Sequence, residues 1–200
     1  MGIVSSALTT AKLIELTRPR LIVMAGICAG IEGKVNLGDP ILADPTWDWQ
    51  SGKFDDTKGE DNHAVSPHHL AVNHSLRTKF NALEEDKGFL RGIQDAWPQR
   101  IDTELSIHSG PMASGSSVLA DATIVDKIRK HNRDLISIEM EAYGVYAAAA
   151  ISGNPRPECM AIKSVCDYAN SDKNDEFQSY AAYTSANTIK GFLEKYFASI

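Results

Sequence analysis

The stretch 135–151 decides the fold of this chain: it reads Leu-Ile-Ser-Ile-Glu-Met-Glu-Ala-Tyr-Gly-Val-Tyr-Ala-Ala-Ala-Ala-Ile. Residues 135–138 predict a short strand, and the uncharged run after Glu141 predicts an apolar helix over 141–151. A helix that is apolar on every side is buried, which is typical of the helices that cover a sheet in α/β proteins. Two carboxylates, Glu139 and Glu141, stand where the strand gives way to the helix.

The same alternation of strands and helices continues on both sides of this stretch. Further strands are predicted at 20–26, 40–43, 104–112 and 158–166, and further helices at 5–16, 68–83, 86–96, 121–130 and 177–197. We therefore expect an α/β fold, with one sheet covered on both faces and residues 1–200 forming a single domain. The polar segment 44–66 is predicted to be a loop or a surface excursion, anchored by Trp47 and Trp49.

The amino-acid composition limits which binding partners and which cellular compartment are expected. The chain carries 20 Lys and Arg against 26 Asp and Glu, and its formal net charge of −6 disfavours a nucleic-acid partner. The longest apolar run, 21–31, is about half the length that spans a bilayer, so no membrane partner is expected. Charges in the N-terminal segment argue against a signal peptide. Cys28, Cys159 and Cys166 show no paired spacing, which indicates reduced thiols in a cytoplasmic protein.

Three strand ends are candidates for ligand contacts, because ligands of such folds bind beyond the carboxyl ends of strands. The first, Ala-Gly-Ile-Cys-Ala-Gly at 25–30, is predicted to be a turn that either approaches a ligand or packs under a helix. At the second, Glu139 and Glu141 either stabilise a helix N-terminus or bind a sugar diol. At the third, Asp167 ends an apolar strand, where burial favours the protonated form of a general acid; capping a turn is the alternative.

A cluster of histidines, His63, His68, His69 and His74, invites a metal hypothesis. Their spacing lacks the His-Glu-x-x-His pattern of zinc sites, and no cysteine is near them in the sequence. We therefore expect surface histidines, with neither a metal ion nor another cofactor.

Six motifs, taken in order, resemble the purine nucleoside phosphorylase / methylthioadenosine–S-adenosylhomocysteine nucleosidase superfamily. They are Met-Gly-Ile-Val-Ser-Ser-Ala at 1–7, Ala-Gly-Ile-Cys-Ala-Gly-Ile at 25–31, Asn-Leu-Gly-Asp-Pro-Ile-Leu at 36–42, Ser-Gly-Ser-Ser-Val-Leu-Ala-Asp at 114–121, Ser-Ile-Glu-Met-Glu-Ala-Tyr-Gly-Val-Tyr-Ala-Ala-Ala at 137–149 and Ile-Lys-Ser-Val-Cys-Asp-Tyr-Ala-Asn at 162–170. The resemblance covers nearly the whole chain and is least over 44–100. It implies a three-layer α/β/α sandwich around a central mixed sheet.

The resemblance also implies roles for individual residues. Glu141 is expected to bind the ribose hydroxyls, and Met140 to pack against the sugar. Asp167 is expected to protonate N7 of the purine as the base departs. Val118 and Leu119 fall in the turn that reads the adenine edge through backbone groups, and Glu139 is a weaker candidate for substrate contact.

The chain departs from the superfamily pattern at several positions. Ile27 stands where phosphorylases place a phosphate-binding Ser, and Met24 where hexameric members place an Arg, so water is the expected acceptor. Lys163 replaces an Arg that is common in the nucleosidases, and Val118 replaces a base-stacking aromatic residue. Ile27, its neighbour Cys28, and Lys163 are kept as substrate-binding candidates.

The expected function is hydrolysis of the N-glycosidic bond of an adenine nucleoside, such as methylthioadenosine or S-adenosylhomocysteine, with release of the base. Phosphorolysis, an effector domain that acts on AMP or ATP, and a nucleoside-binding module without catalysis are the alternatives. The superfamily's first strand, a glycine turn and a Glu that helps to activate water precede the motif at 1–7, so we expect these N-terminal strands to be lacking. By the same resemblance, a homo-oligomer is expected, either a dimer or a hexamer.

Overall fold

The computed structural model describes residues 2–54, 63–117, 122–170 and 176–199. Its helices are α1 (Ile3–Thr17), α2 (His74–Glu84), α3 (Lys87–Asp95), α4 (Ala122–His131), α5 (Ala142–Ile151) and α6 (Gln178–Tyr196). Its strands are β1 (Leu21–Gly30), β2 (Pro40–Asp48), β3 (Gly52–Phe54), β4 (His63–Val65), β5 (His108–Ser114), β6 (Ser137–Glu139) and β7 (Glu158–Asp167).

Five of the strands form the central sheet, in the order β1-β6-β5-β2-β7. The pairs β1–β7, β2–β5 and β5–β6 are parallel, whereas β1–β6 and β2–β7 are antiparallel. Because β7 pairs with both β2 and β1, the sheet closes on itself. The predicted α/β fold with a mixed central sheet is confirmed, and the closure goes beyond that prediction.

Helices pack against this sheet and against one another. Helix α6 packs against β1 and β7, helix α5 packs against β7 and β2, and α1 packs against α5. The crossing of α1 and α5 requires Gly144, because an added Cβ there would lie 2.3 Å from the backbone oxygen of Ile3. This close crossing brings the N-terminus of α1 beside the start of α5, where the Ser6 hydroxyl donates to the backbone oxygen of Glu141 (3.0 Å).

Strand β1 differs from its predicted form in length and in burial. The segment 25–30, predicted to be a turn, is part of the strand. The strand continues because Gly26 pairs with Lys163 of β7 and leaves room for that long side chain: an added Cβ would lie 3.2 Å from Lys163 Cε. Only three of the ten residues of β1 are buried, so the predicted burial on both faces is wrong.

The polar segment 44–66 is only partly a loop, which corrects the prediction. Strand β2 continues past residue 43, and Trp47 within it is fully buried. Asp44 is tolerated inside the strand because its buried carboxylate accepts a hydrogen bond from the guanidinium of Arg77 (3.1 Å). The short strands β3 and β4 then pair as an antiparallel hairpin. Residues 55–62, also in the predicted loop, lie outside the described residues.

The structure also bears on the expectations about membrane spans and disulfides. Among the residues that the structure describes, no helix has the length and apolar character needed to cross a membrane. No disulfide joins Cys28, Cys159 and Cys166, and all three lie within the described ranges.

Candidate active site

A buried ion triad lies where β6 meets α5. The Lys163 ammonium, from the middle of β7, lies 2.6 Å from Glu139 Oε2 and 2.8 Å from Glu141 Oε2. Burial alone lowers the pKa of Lys163, but the charges and hydrogen bonds of the two glutamates outweigh burial and raise that pKa. Lys163 is therefore a cation at neutral pH and lies between the two carboxylates.

Glu139 is saturated by the protein's own donors. Besides Lys163, its carboxylate accepts hydrogen bonds from the Ser114 hydroxyl (2.5 Å) and from the backbone N–H groups of Glu141 (2.8 Å) and Ala142 (3.0 Å). A carboxylate offers about four acceptor positions, so these four donors leave no position directed at a ligand. Glu139 therefore accepts from the first backbone N–H of α5 and pairs with Lys163, and this arrangement lends no support to the predicted substrate contact of Glu139.

Ser114 and Thr46 extend the network into two more strands. The single hydroxyl hydrogen of Ser114 is donated to Glu139, and the Ser114 oxygen accepts from the Tyr143 backbone N–H (2.9 Å). Thr46 Oγ1 lies 3.2 Å from Ser114 Oγ, so Thr46 must be the donor in that pair. Neither Ser114 nor Thr46 was among the predicted site residues, because their contacts join segments far apart in the sequence.

Glu141 is the carboxylate of the triad that a ligand can reach. Its side chain is 18% exposed, against 1% for Glu139. Oε1 accepts from the Gly2 backbone N–H (3.1 Å), and Oε2 accepts from Lys163. Burial raises the pKa of Glu141, but the hydrogen bond and charge of Lys163, with the Gly2 amide, more than offset burial and lower that pKa. Glu141 is therefore ionised at neutral pH and able to accept hydrogen bonds from sugar hydroxyls.

The shifted pKa values predict how stability depends on pH. Because the pKa of Glu141 is lowered by folding, its contribution to stability is present above its unfolded value of about 4.3 and is lost as pH falls through the folded value. We expect the urea midpoint of the wild type to fall more steeply below about pH 4.3 than that of Glu141→Gln. Urea titrations of both proteins from neutral to acidic pH measure this; parallel curves would contradict the triad.

Asp167 lies beyond a β-bulge at the carboxyl end of β7. Cys28 pairs with Val165 and Ala29 pairs with Asp167, so Cys166 is an extra residue on β7. Such a bulge bends the strand and redirects the side chain that follows it. Oδ1 of the Asp167 carboxyl group, 7% exposed, accepts from the Ala169 backbone N–H at 2.8 Å. Ala169 has a φ of 53°, a left-handed conformation that costs energy for a residue other than glycine and is typical of functional sites.

The strand registers place the two halves of the site close together. Asp167 pairs with Ala29 across β7 and β1, and Ala29 pairs with Ile138 across β1 and β6. Two strand spacings of about 4.8 Å therefore separate Asp167 from Ile138, the residue before Glu139, so the backbones lie about 10 Å apart. That span suits a ligand with two parts, one bound near Asp167 and the other near Glu141.

The other predicted site residues fall in three groups. Ile27 is half-buried in β1 and pairs with Ser164, and Met140 is half-buried between the two glutamates. Cys28 is buried with its Sγ 3.8 Å from the Lys163 backbone oxygen, and burial raises the pKa of this thiol. Val118 and Leu119 lie outside the described residues.

The end of β2 supports the segment that leads into the predicted base-binding turn. The Trp49 backbone N–H donates to the Ser114 backbone oxygen (3.1 Å), and the Ser116 backbone N–H donates to Gln50 Oε1 (2.7 Å). Gly115 makes room for the indole, because an added Cβ would lie 2.1 Å from Trp49 Nε1. Trp49, predicted to anchor a loop, therefore packs against Gly115, a contact that composition alone cannot reveal.

The histidines do not assemble around a common point in the described part of the chain. His68 Nδ1 lies 3.4 Å from the Tyr143 hydroxyl, and the His69 ring lies 5.4 Å from the Trp47 ring. Within the described ranges, no group of three or more His, Cys, Asp or Glu side chains is placed to hold a metal ion. The side chain of His63 lies outside the described part.

Fold and site together define an α/β protein with a buried ion triad and a bulged strand that ends in an aspartate. The sequence model of the phosphorylase superfamily matches residues 1–198, and the chain belongs to this superfamily. The resemblance stated from the six motifs is thereby confirmed.

Two sequence relatives illustrate the range of the superfamily. The uncharacterized protein y4jS of Sinorhizobium fredii is 33% identical over 188 residues, which are 94% of this chain and 46% of that protein. ATP nucleosidase Cap17 of Escherichia coli is 24% identical over 95% of this chain and 39% of its own length. The chain thus spans less than half the length of these two relatives.

A solved structure with the same fold is the 5'-methylthioadenosine/S-adenosylhomocysteine nucleosidase of Neisseria meningitidis in complex with methylthio-immucillin-A. It is 21% identical to this chain, with a TM-score of 0.75, and the match covers 98% of this chain and 78% of that one.

Proposed function

We propose that this chain is a nucleosidase that hydrolyses the N-glycosidic bond of an adenine nucleoside or nucleotide and releases the base. The observation that carries the proposal is the pair of carboxyl groups formed by the ionised, reachable Glu141, at the start of α5, and by Asp167, at the end of β7. The backbones of Asp167 and of Ile138, which lies three residues before Glu141, are about 10 Å apart. Relatives named as nucleosidases support the reaction class.

The chemistry of the bond explains why two carboxyl groups are needed. As the bond between the sugar C1′ and the base N9 breaks, positive charge builds on the sugar and negative charge on the base. Glu141, as a carboxylate, binds the ribose hydroxyls and stabilises the positive charge. Asp167, as the acid, donates its proton to N7, so that adenine leaves as a neutral molecule. The water oxygen bonds to C1′, and the proton that this water loses replaces the one that Asp167 gave.

Two apolar side chains support water over phosphate as the acceptor. Phosphate binding relies on charged or polar donors, and Met24 and Ile27 provide none on β1. We expect base release at the same rate with and without phosphate, followed by chromatography of free adenine. Base release that strictly requires phosphate would overturn the hydrolase assignment.

The candidate substrates fall into two classes, which differ in the charge of the 5′ substituent. Methylthioadenosine and S-adenosylhomocysteine carry thioether groups, and a relative from Maridesulfovibrio salexigens is named for their hydrolysis. ATP is the second candidate, because Cap17 is named as an ATP nucleosidase and aligns over 199 residues. Initial rates on methylthioadenosine, S-adenosylhomocysteine, AMP and ATP, measured side by side, decide between the groups.

A binding module without catalysis is tested by the same panel. Calorimetric binding of any of these four ligands, with no base released over many hours, would show that the chain binds the ligand without catalysing the reaction. The proposed enzyme predicts the opposite result: base release by the ligand that binds.

A further inference from the structure

Strand β1 has no partner strand along most of one edge. On one side it pairs with β7 from Leu21 to Ala29, whereas on the other side β6 pairs with it only at Ala29 and Gly30. Within the described ranges, no other strand pairs with β1. The segment 21–27, which we call the open edge, therefore extends beyond the point at which the sheet closes.

The backbone groups of the open edge face away from the sheet at every second residue. The Arg20 backbone oxygen accepts from the Glu158 N–H of β7 (2.8 Å), so the even-numbered residues of β1 face β7. The residues that face the other way are Leu21, Val23, Ala25 and Ile27. A row of N–H and C=O groups of this kind is a template for a further strand.

The side chains of the open edge lack the usual protection against strand pairing. Edge strands are commonly protected by charged residues, prolines or bulges. The sequence Leu-Ile-Val-Met-Ala-Gly-Ile at 21–27 has no charge and no proline, and the bulge opposite β1 lies beyond it, after Cys28. Ala25 is exposed, and Val23 and Ile27 are half-buried. The open edge is therefore an apolar surface suited to burial against another strand.

Helix α1, which leads into β1, exposes further apolar side chains. Val4, Leu8 and Leu16 are 70%, 68% and 72% exposed. The partly buried Ile14 of the same helix packs against the cluster that contains Ile22 of β1, so α1 lies beside the start of the open edge. Adjacent apolar surfaces of this kind mark a protein–protein interface.

We propose that the open edge is a dimer interface, in which β1 pairs antiparallel with β1 of a second copy of this chain across a two-fold axis. A two-fold interface brings the same segment of both copies together, and this segment carries no charges that would repel each other. Odd-numbered residues then pair with odd-numbered residues, and Ala25 lies at the axis or next to it. The inference concerns assembly and does not depend on the proposed nucleosidase reaction.

Ala25→Pro tests the pairing with little change to the single chain. The Ala25 N–H faces away from β7, and proline is tolerated at such positions of edge strands. In the dimer, the same proline removes a ladder hydrogen bond near the axis and obstructs the second strand. Light scattering and sedimentation, over a wide range of protein concentration, are expected to give twice the chain mass for the wild type and the single-chain mass for Ala25→Pro.

Two lysine variants separate the interface from a general effect of substitution. Ala25→Lys places two like charges close to the axis and is also expected to give the single-chain mass, so the test does not rely on proline being tolerated. Ala82→Lys adds the same charge at an exposed alanine of α2 and is expected to remain a dimer. Circular dichroism checks that each variant is folded.

Amide hydrogen exchange, measured by NMR, identifies the paired residues one by one. In the wild-type dimer we expect slow exchange at Val23, Ala25 and Ile27, and faster exchange at these amides on dilution to single chains, while the amide of Met24, which faces β7, stays slow. A wild type that remains a single chain would overturn the proposal, whichever other strand covers the edge. An assembly that both Ala25 variants leave intact would also overturn it, as would fast exchange of the odd-numbered amides in a stable dimer.

Discussion

Asp167→Asn is expected to lower kcat for base release by about 100- to 10,000-fold, the usual contribution of a general acid. The amide matches the carboxyl group in shape, and its oxygen can still accept the Ala169 N–H, so the fold and the bulge are expected to persist. What the variant lacks is the proton that N7 of the purine must receive. Base release under saturating substrate, measured by chromatography, gives the effect directly.

A matched control separates this role from a general effect of losing a negative charge. Asp126 is an exposed aspartate on α4, paired only with nearby Arg129 among the ion pairs described. Asp126→Asn is expected to retain full activity. If Asp167→Asn keeps a rate within a few-fold of the wild type, the general-acid assignment is wrong.

Lys163→Met is expected to cause the largest loss of stability of any single change in the site. The side chain keeps its length but loses the cation, which leaves the Glu139 and Glu141 carboxylates close together with no positive charge between them. Removing one member of a buried ion pair typically costs about 3–5 kcal/mol of the free energy of unfolding. Urea unfolding followed by circular dichroism measures this loss.

Two companion variants test the physical cause of that loss. In the double variant Lys163→Met with Glu139→Gln, one of the two negative charges that repel each other is removed. Part of the lost free energy of unfolding is therefore expected to return. Lys195→Met removes an exposed lysine paired with Asp86 and is expected to leave stability unchanged. A Lys163→Met protein as stable as the wild type would show that the triad contributes nothing to the folded state.

Strand-end reasoning predicted where the three carboxylates of the candidate site lie but not how their surroundings differ. Glu139, Glu141 and Asp167 were predicted because each follows an apolar strand, and all three lie at such ends. The Glu139 carboxylate binds donors from the protein itself, and two of them, Ser114 and Lys163, come from other strands. Pairings between distant segments leave no local pattern in the sequence.

The β-bulge at Cys166 is a second feature that the local sequence does not predict. The run that precedes Asp167 is apolar and predicts a regular strand, and nothing in it marks Cys166 as the extra residue. A bulge arises from the register of the partner strand, here β1, and not from the sequence of the bulged strand alone. The continuation of β1 through the predicted turn has a similar origin. Gly26 pairs with Lys163 of β7, and the absence of a side chain at Gly26 leaves room for the Lys163 side chain.

The identity of the sugar product tests the central claim most directly. The wild-type chain is incubated with methylthioadenosine, and in parallel with ATP, in phosphate buffer, and the products are examined by proton and phosphorus NMR. Hydrolysis through Glu141 and Asp167 predicts free adenine together with a free sugar that bears a hydroxyl group at C1′. A sugar 1-phosphate would contradict the account, and so would free adenine produced equally by Asp167→Asn.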